Sequence, residues 1–118
     1  MAELKTHTGS CACGAVAYEV EMSLDGLIEC NCSHCYRKGF VLGFVSPDAF
    51  RQTKDGPQTA YTFNTHKIRH QFCDTCGVQS FARGEGPDGS PMVAVNVRTI
   101  NDIEPWSWAA QRVDGRSF

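Results

Sequence analysis

Residues 15–22, Ala-Val-Ala-Tyr-Glu-Val-Glu-Met, set Val16, Tyr18, Val20 and Met22 on one side of the chain and Glu19 and Glu21 on the other. A period of two marks a strand with one buried face, so a strand is predicted here. Residues 40–46, 59–64, 67–72 and 92–98 are also short, rich in β-branched or aromatic side chains, and bounded by Gly, Pro, Asn or Asp, which predicts four more strands. Pro47 to Arg51 has room for one helical turn. Residues 54–58 and 84–91 are dense in turn formers and read as exposed loops. No stretch carries the three-to-four-residue period of a helix, so the expected class is mainly β.

The 118 residues allow one domain, expected to span 1–118. A formal charge of −2, with 42% hydrophobic and 20% charged residues, argues against a disordered chain and a coiled coil. It also disfavours nucleic acid as a partner, which would call for a basic face. No apolar run approaches the roughly 18–20 residues that span a bilayer, so no membrane partner is expected. The opening residues, Met1 to Thr8, have no apolar signal core, and the expected location is the cytoplasm. A small β domain buries only about two-thirds of its unfolded surface, so crosslinks between strands would add stability.

Seven cysteines supply the candidate crosslinks. An odd number cannot pair off within one chain, and a reducing compartment favours metal ligation over disulfides. They fall in three groups: Cys11-Ala12-Cys13-Gly14, Cys30-Asn31-Cys32-Ser33-His34-Cys35, and Cys73-Asp74-Thr75-Cys76-Gly77. Two thiolates one or two residues apart on a tight turn can face one ion, and a glycine after the second supplies the positive φ such a turn requires. Cys11, Cys13, Cys73 and Cys76 therefore read as one closed, structural four-thiolate zinc site. Cys30, Cys32 and Cys35 read as a second, three-ligand site of the catalytic kind. Three alternatives stand beside this division: that the seven are buried or oxidised thiols, that His34, His66 or His70 (of which His70 is the best placed) completes the second shell, or that the pairs are exchanged between sites.

Three thiolates on Zn²⁺ suit a soft fourth ligand such as a substrate thiol. A free thiol with a pKa of about 8.5 is only about 3% ionised at neutral pH, so coordination can raise the thiolate fraction roughly 30-fold, worth about 2 kcal/mol. In reverse, the same site would stabilise a leaving thiolate, the matching chemistry for carbon–sulfur cleavage.

The order Gly9-Ser10-Cys11-x-Cys13-Gly14-x-Val16-x-Tyr18, Cys30-x-Cys32-x-x-Cys35 and Phe72-Cys73-x-x-Cys76-Gly77 resembles the glutathione-dependent formaldehyde-activating enzyme family across nearly the whole chain. Cys30-Asn31-Cys32-Ser33, Tyr61 to Lys67 and Gly77 to Phe81 resemble its centromere protein V-like branch. The resemblance implies a β-tent fold, a structural zinc on Cys11, Cys13, Cys73 and Cys76, and a catalytic zinc on Cys30, Cys32 and Cys35. It also implies S-(hydroxymethyl)glutathione synthase or related carbon–sulfur lyase activity, with glutathione as the thiol. A noncatalytic zinc-stabilised binding module is the alternative; it would fill the fourth ligand position that an enzyme needs free.

Other residues carry weaker signals. Arg37, Lys38, His66, Lys67, Arg69 and His70 could bind the carboxylates of a glutathione-like anion, or could simply line a solvated strand face. Asn64, Gln79 and Asn96 could supply pocket hydrogen bonds or satisfy backbone groups. Trp106, Trp108 and Phe118 could wall a ligand or close the core, and Arg98 and Asp102 read as structural.

Overall fold

A computed structural model describes residues 4–62, 68–86 and 88–117. Its strands are β1 (Lys5–Ser10), β2 (Val16–Met22), β3 (Leu27–Cys30), β4 (Leu42–Val45), β5 (Phe50–Asp55), β6 (Gln58–Tyr61), β7 (Arg69–Cys73), β8 (Gln79–Glu85), β9 (Pro91–Asn96) and β10 (Ala110–Val113). The fold is mainly β, as expected, in two sheets. One has the order β1-β2-β5 and the other β10-β3-β4-β9-β8-β7-β6. Every neighbouring pair is antiparallel except β10 and β3.

The alternation in β2 buries Val16, Tyr18, Val20 and Met22. Those side chains share one core with Phe81, Val93 and Val95 from β8 and β9, so the small sheet covers one part of the large one. Tyr18 is stacked on Phe50, with ring centroids 5.3 Å apart, and its hydroxyl meets Thr99 Oγ1 at 2.8 Å. Gly9 pairs with Tyr18 across the β1–β2 ladder, and a Cβ at Gly9 would collide with the tyrosine ring. A second, smaller cluster of Cys35, Phe40 and Leu42 lies beyond the main core.

Several boundaries differ from the sequence reading. The expected 54–58 loop shrinks because β5 runs through Asp55 and β6 starts at Gln58. The 84–91 loop likewise loses Gly84 and Glu85 to β8 and Pro91 to β9, since those residues still pair across the β8–β9 ladder. The predicted 59–64 strand ends at Tyr61, with Thr62 outside it and residues 63–64 outside those described, and Val97–Thr99 leaves β9 as a 3-10 turn. The Pro47 turn is a 3-10 turn over Pro47–Ala49. Strands β1, β3, β5, β8 and β10 were not predicted. Nor was α1 (Ser33–Lys38), whose six residues are too few to display a period. It is set by its ends, with Cys32 as N-cap and Gly39 as C-cap at φ 71°. Among the described residues no helix is long and apolar enough to cross a membrane.

Candidate functional site

Two turns carry the first cysteine set, and they are built alike. In one, the Cys11 N–H donates to the Val16 carbonyl at 2.9 Å; in the other, the Cys73 N–H donates to the Val78 carbonyl at 3.1 Å. Gly14 at φ 82° and Gly77 at φ 79° turn the chain within each, as the glycine spacing predicted. Backbone N–H groups are thereby aimed at sulfur: Val16 N lies 3.4 Å from Cys11 Sγ, and Thr75 N lies 3.3 Å from Cys73 Sγ. Because Cys11 follows β1 and Cys73 ends β7, this set joins the small sheet to the large one.

The sulfur spacing tests whether a metal fits. With metal–sulfur bonds of about 2.3 Å, tetrahedral corners lie about 3.8 Å apart. Cys13 Sγ is 3.7 Å from both Cys11 Sγ and Cys73 Sγ, and all four sulfurs lie within 4.8 Å of one another. Without a cation the four thiols share protons unevenly. N–H groups of Val78 and Cys13 hold Cys76 down at about 6. The Ala15 N–H favours the Cys13 thiolate too, but desolvation and hydrogen bonding to the other three sulfurs outweigh it and push Cys13 up to about 11. A closed set of this kind is completed by positive charge at its centre.

The second set is assembled by α1. Cys30 ends β3, Cys32 caps the helix, and Cys35 sits in its first turn with its N–H donating to Cys32 Sγ at 3.3 Å. The three sulfurs lie within 4.8 Å of one another. Burial pushes the Cys32 thiol up, but the Cys35 N–H and the neighbouring thiols outweigh it and hold Cys32 below its ordinary value. Cys35 is driven well above the ordinary range by burial and by Cys32. Neither His34 nor His70 belongs to this set at that distance, and His66 lies outside the described residues. The two pairs are not exchanged between sites.

A cavity of about 360 Å³ opens beside the second set. Cys30, Cys32 and Cys35 border it, Phe40, Leu42 and Phe44 form an apolar wall, and His70 and Gln79 supply polar groups. Gln79 Nε2 donates to His70 Nδ1 at 3.1 Å, which leaves the ring proton of neutral His70 on Nε2. Burial, reinforced by the charges of His34 and Lys38, lowers His70 to about 4. The His34 ring is tilted against His70 with centroids 4.2 Å apart and stacked on Tyr61 at 5.3 Å.

Of the other residues weighed from sequence, Gln79 reaches the cavity, while Asn96 is structural: it donates to the Gln79 carbonyl at 2.9 Å and caps Arg98 N at 3.2 Å. Arg37 bonds the Ser33 carbonyl and Lys38 sits over the Phe72 ring at 5.3 Å. Arg98 covers Trp108 at 5.5 Å, and Asp102 meets buried His7 at 3.3 Å. Trp106 is 79% exposed and closes no core. Asn64, His66, Lys67 and Phe118 lie outside the described residues.

Gly115 was missed by the sequence reading. Strand β10, running parallel to β3, delivers it to the cavity, where a Cβ would collide with Cys30 Sγ. No local spacing connects residue 115 to residue 30; only the β10–β3 pairing does.

The fold and the two cysteine sets define a class: a small mainly β protein able to hold two metal ions. A family model described as glutathione-dependent formaldehyde-activating enzyme matches residues 6–112, and the chain belongs to that family. It is also similar to a Rhodobacter sphaeroides protein of known crystal structure, with a TM-score of 0.79 and 27% identity over 90% of this chain and 99% of that one.

Proposed function

We propose that this protein is a zinc-dependent carbon–sulfur lyase that makes and breaks thiol–aldehyde adducts, in the manner of an S-(hydroxymethyl)glutathione synthase. The observation that carries the reading is the contrast between the two cysteine sets. One has four sulfurs and joins two sheets; the other stops at three among the described residues and borders a cavity. Structural zinc is closed by four protein ligands, whereas catalytic zinc keeps a position for water or substrate. Family membership supports formaldehyde and glutathione chemistry. The remaining assignments follow: zinc at both sets, Cys11, Cys13, Cys73 and Cys76 structural, Cys30, Cys32 and Cys35 catalytic, and a single domain working in a reducing cytoplasm.

When bound, zinc lowers the pKa of a substrate thiol and supports a leaving thiolate. The protein's own residues do the rest. Cys30, Cys32 and Cys35 provide a soft, negatively charged donor face. The apolar wall lowers the local polarity, which strengthens polar contacts made inside the cavity. Neutral His70, bonded to Gln79, offers hydrogen bonding to the adduct oxygen without adding charge.

Cobalt substitution tests the reading. Co²⁺-loaded protein should change its sulfur-to-metal charge-transfer spectrum when glutathione is added, and the change should be absent in Cys35→Ser. A spectrum indifferent to glutathione and to a small thiol such as 2-mercaptoethanol favours the noncatalytic binding module.

A further inference from the structure

The cavity beside Cys30, Cys32 and Cys35 is much larger than a formaldehyde adduct needs. A hydroxymethyl group has two non-hydrogen atoms and occupies little more than the ~30 Å³ share of one or two waters. The cavity holds about 360 Å³, within the size range of pockets built for small organic ligands. The described part of its lining is also apolar where the body of glutathione is charged. Ile28, Leu42, Phe44, Ala82, Ala94 and Val113 border it, and no Lys, Arg, Asp or Glu does so among the described residues. Two carboxylates would be stripped of water there with no cationic side chain among the described residues to meet them.

Charge stands outside the lining: the exposed Asp114 and Arg116 flank the lining residue Gly115. Phe44 and Ile68, each 46% exposed, form an apolar lip. The division is between an interior that, among the described residues, holds no charge beyond the thiolates and a charged exterior.

We propose that the cavity receives the hydrocarbon chain of an aldehyde larger than formaldehyde, an alkyl or aryl aldehyde of roughly six to eight carbons, while the charged body of the thiol stays at the rim. This rests on the lyase reading and narrows its substrate class. In the forward step the thiol adds across the carbonyl: the sulfur–carbon bond forms, the carbon–oxygen π bond breaks, and the thiol proton ends on oxygen. The reverse returns thiol and aldehyde, and neither direction needs an oxidant or reductant. The adduct hydroxyl then lies within the polar corner made by His70 and Gln79, which are 6% and 4% exposed.

S-Hexylglutathione and S-methylglutathione are stable thioether probes that differ only in the chain. Each buried methylene is worth roughly fourfold in affinity, so calorimetry on the zinc-loaded protein should give the hexyl compound at least tenfold tighter binding. Ala94→Phe, which fills the cavity, should bring that ratio close to one with metal content unchanged. Phe44→Ala, at an exposed position that tolerates truncation, should lower it several-fold. Equal affinities in the wild type, or a preference that survives both substitutions, would overturn the proposal. Exchange NMR on glutathione with formaldehyde and with hexanal separates the two readings. Faster exchange without chain preference removes the aldehyde class and keeps the lyase; chain preference without faster exchange of either aldehyde keeps an apolar pocket but removes both the lyase and the aldehyde assignment.

Discussion

Asn31 and Asp114 meet at 3.0 Å, Nδ2 donating to Oδ1, while Asn31 Oδ1 accepts the Arg116 N–H at 3.0 Å. A residue standing between two of the three cysteines thus holds the chain on both sides of Gly115. The segment it holds presses Gly115 against Cys30 Sγ. Gly115→Ala should therefore displace Cys30 and lower the bound zinc from two ions toward one, with the far-ultraviolet circular dichroism unchanged. Asn31→Ala should do the same more mildly, losing about 1 kcal/mol of local stability for its hydrogen bonds. Metal analysis after gel filtration gives the answer, and full retention of two ions in Gly115→Ala would contradict the assigned packing.

The two cysteine sets should respond differently to loss of a ligand. Cys73 is 1% exposed and belongs to the main core, and its site joins both sheets. Structural zinc contributes roughly 10–16 kcal/mol, comparable to the roughly 5–15 kcal/mol that holds a whole domain folded. Cys73→Ser should yield an unfolded chain, whereas Cys35→Ser should lose one zinc and keep the fold. Chelator titration should likewise remove one zinc early and the second only together with unfolding, followed by metal content and circular dichroism in parallel.

Gly9 is a packing position. Adding a methyl there drives into the Tyr18 ring, which is fixed between Phe50 and Thr99. Gly9→Ala should cost about 1–3 kcal/mol by overpacking, measured by urea denaturation of the zinc-loaded protein, with zinc content unaffected.

His70 gives the fold a defined pH dependence. Folding lowers its pKa from an ordinary 6.5 to about 4, through burial first and then the charges of His34 and Lys38. The unfolded chain therefore takes up a proton below pH 6.5 that the folded chain accepts only near 4, so stability falls as pH drops through that window. Relative to His70→Phe, the wild type should lose stability between pH 6.5 and 4 and run parallel to it above pH 7. Denaturation curves at matched zinc occupancy show this directly; parallel behaviour throughout would mean His70 stays readily protonated.

The cysteine sets were legible because thiols placed to share an ion leave a local signature: close spacing, and a glycine where the turn needs positive φ. The strand β2 was legible for a similar reason, its period being written in eight consecutive residues. Strand β10 and Gly115 were not, because their role comes from parallel pairing with β3 some eighty residues away. Helix α1 escaped because its ends, Cys32 and Gly39, define it rather than any apolar stripe. The cavity was invisible for the reason that hid β10, since Ile28, Phe44, Ala82 and Val113 come together only through sheet order.

The most direct measurement of the central claim is the exchange rate between glutathione and S-(hydroxymethyl)glutathione in the presence of formaldehyde, read by two-dimensional exchange NMR. With two zinc ions bound, the wild type should exceed the protein-free rate at least tenfold, and Cys35→Ser should fall back to it. A fully loaded wild type that exchanges no faster than buffer alone would contradict the assignment of Cys30, Cys32 and Cys35 to formaldehyde–thiol chemistry.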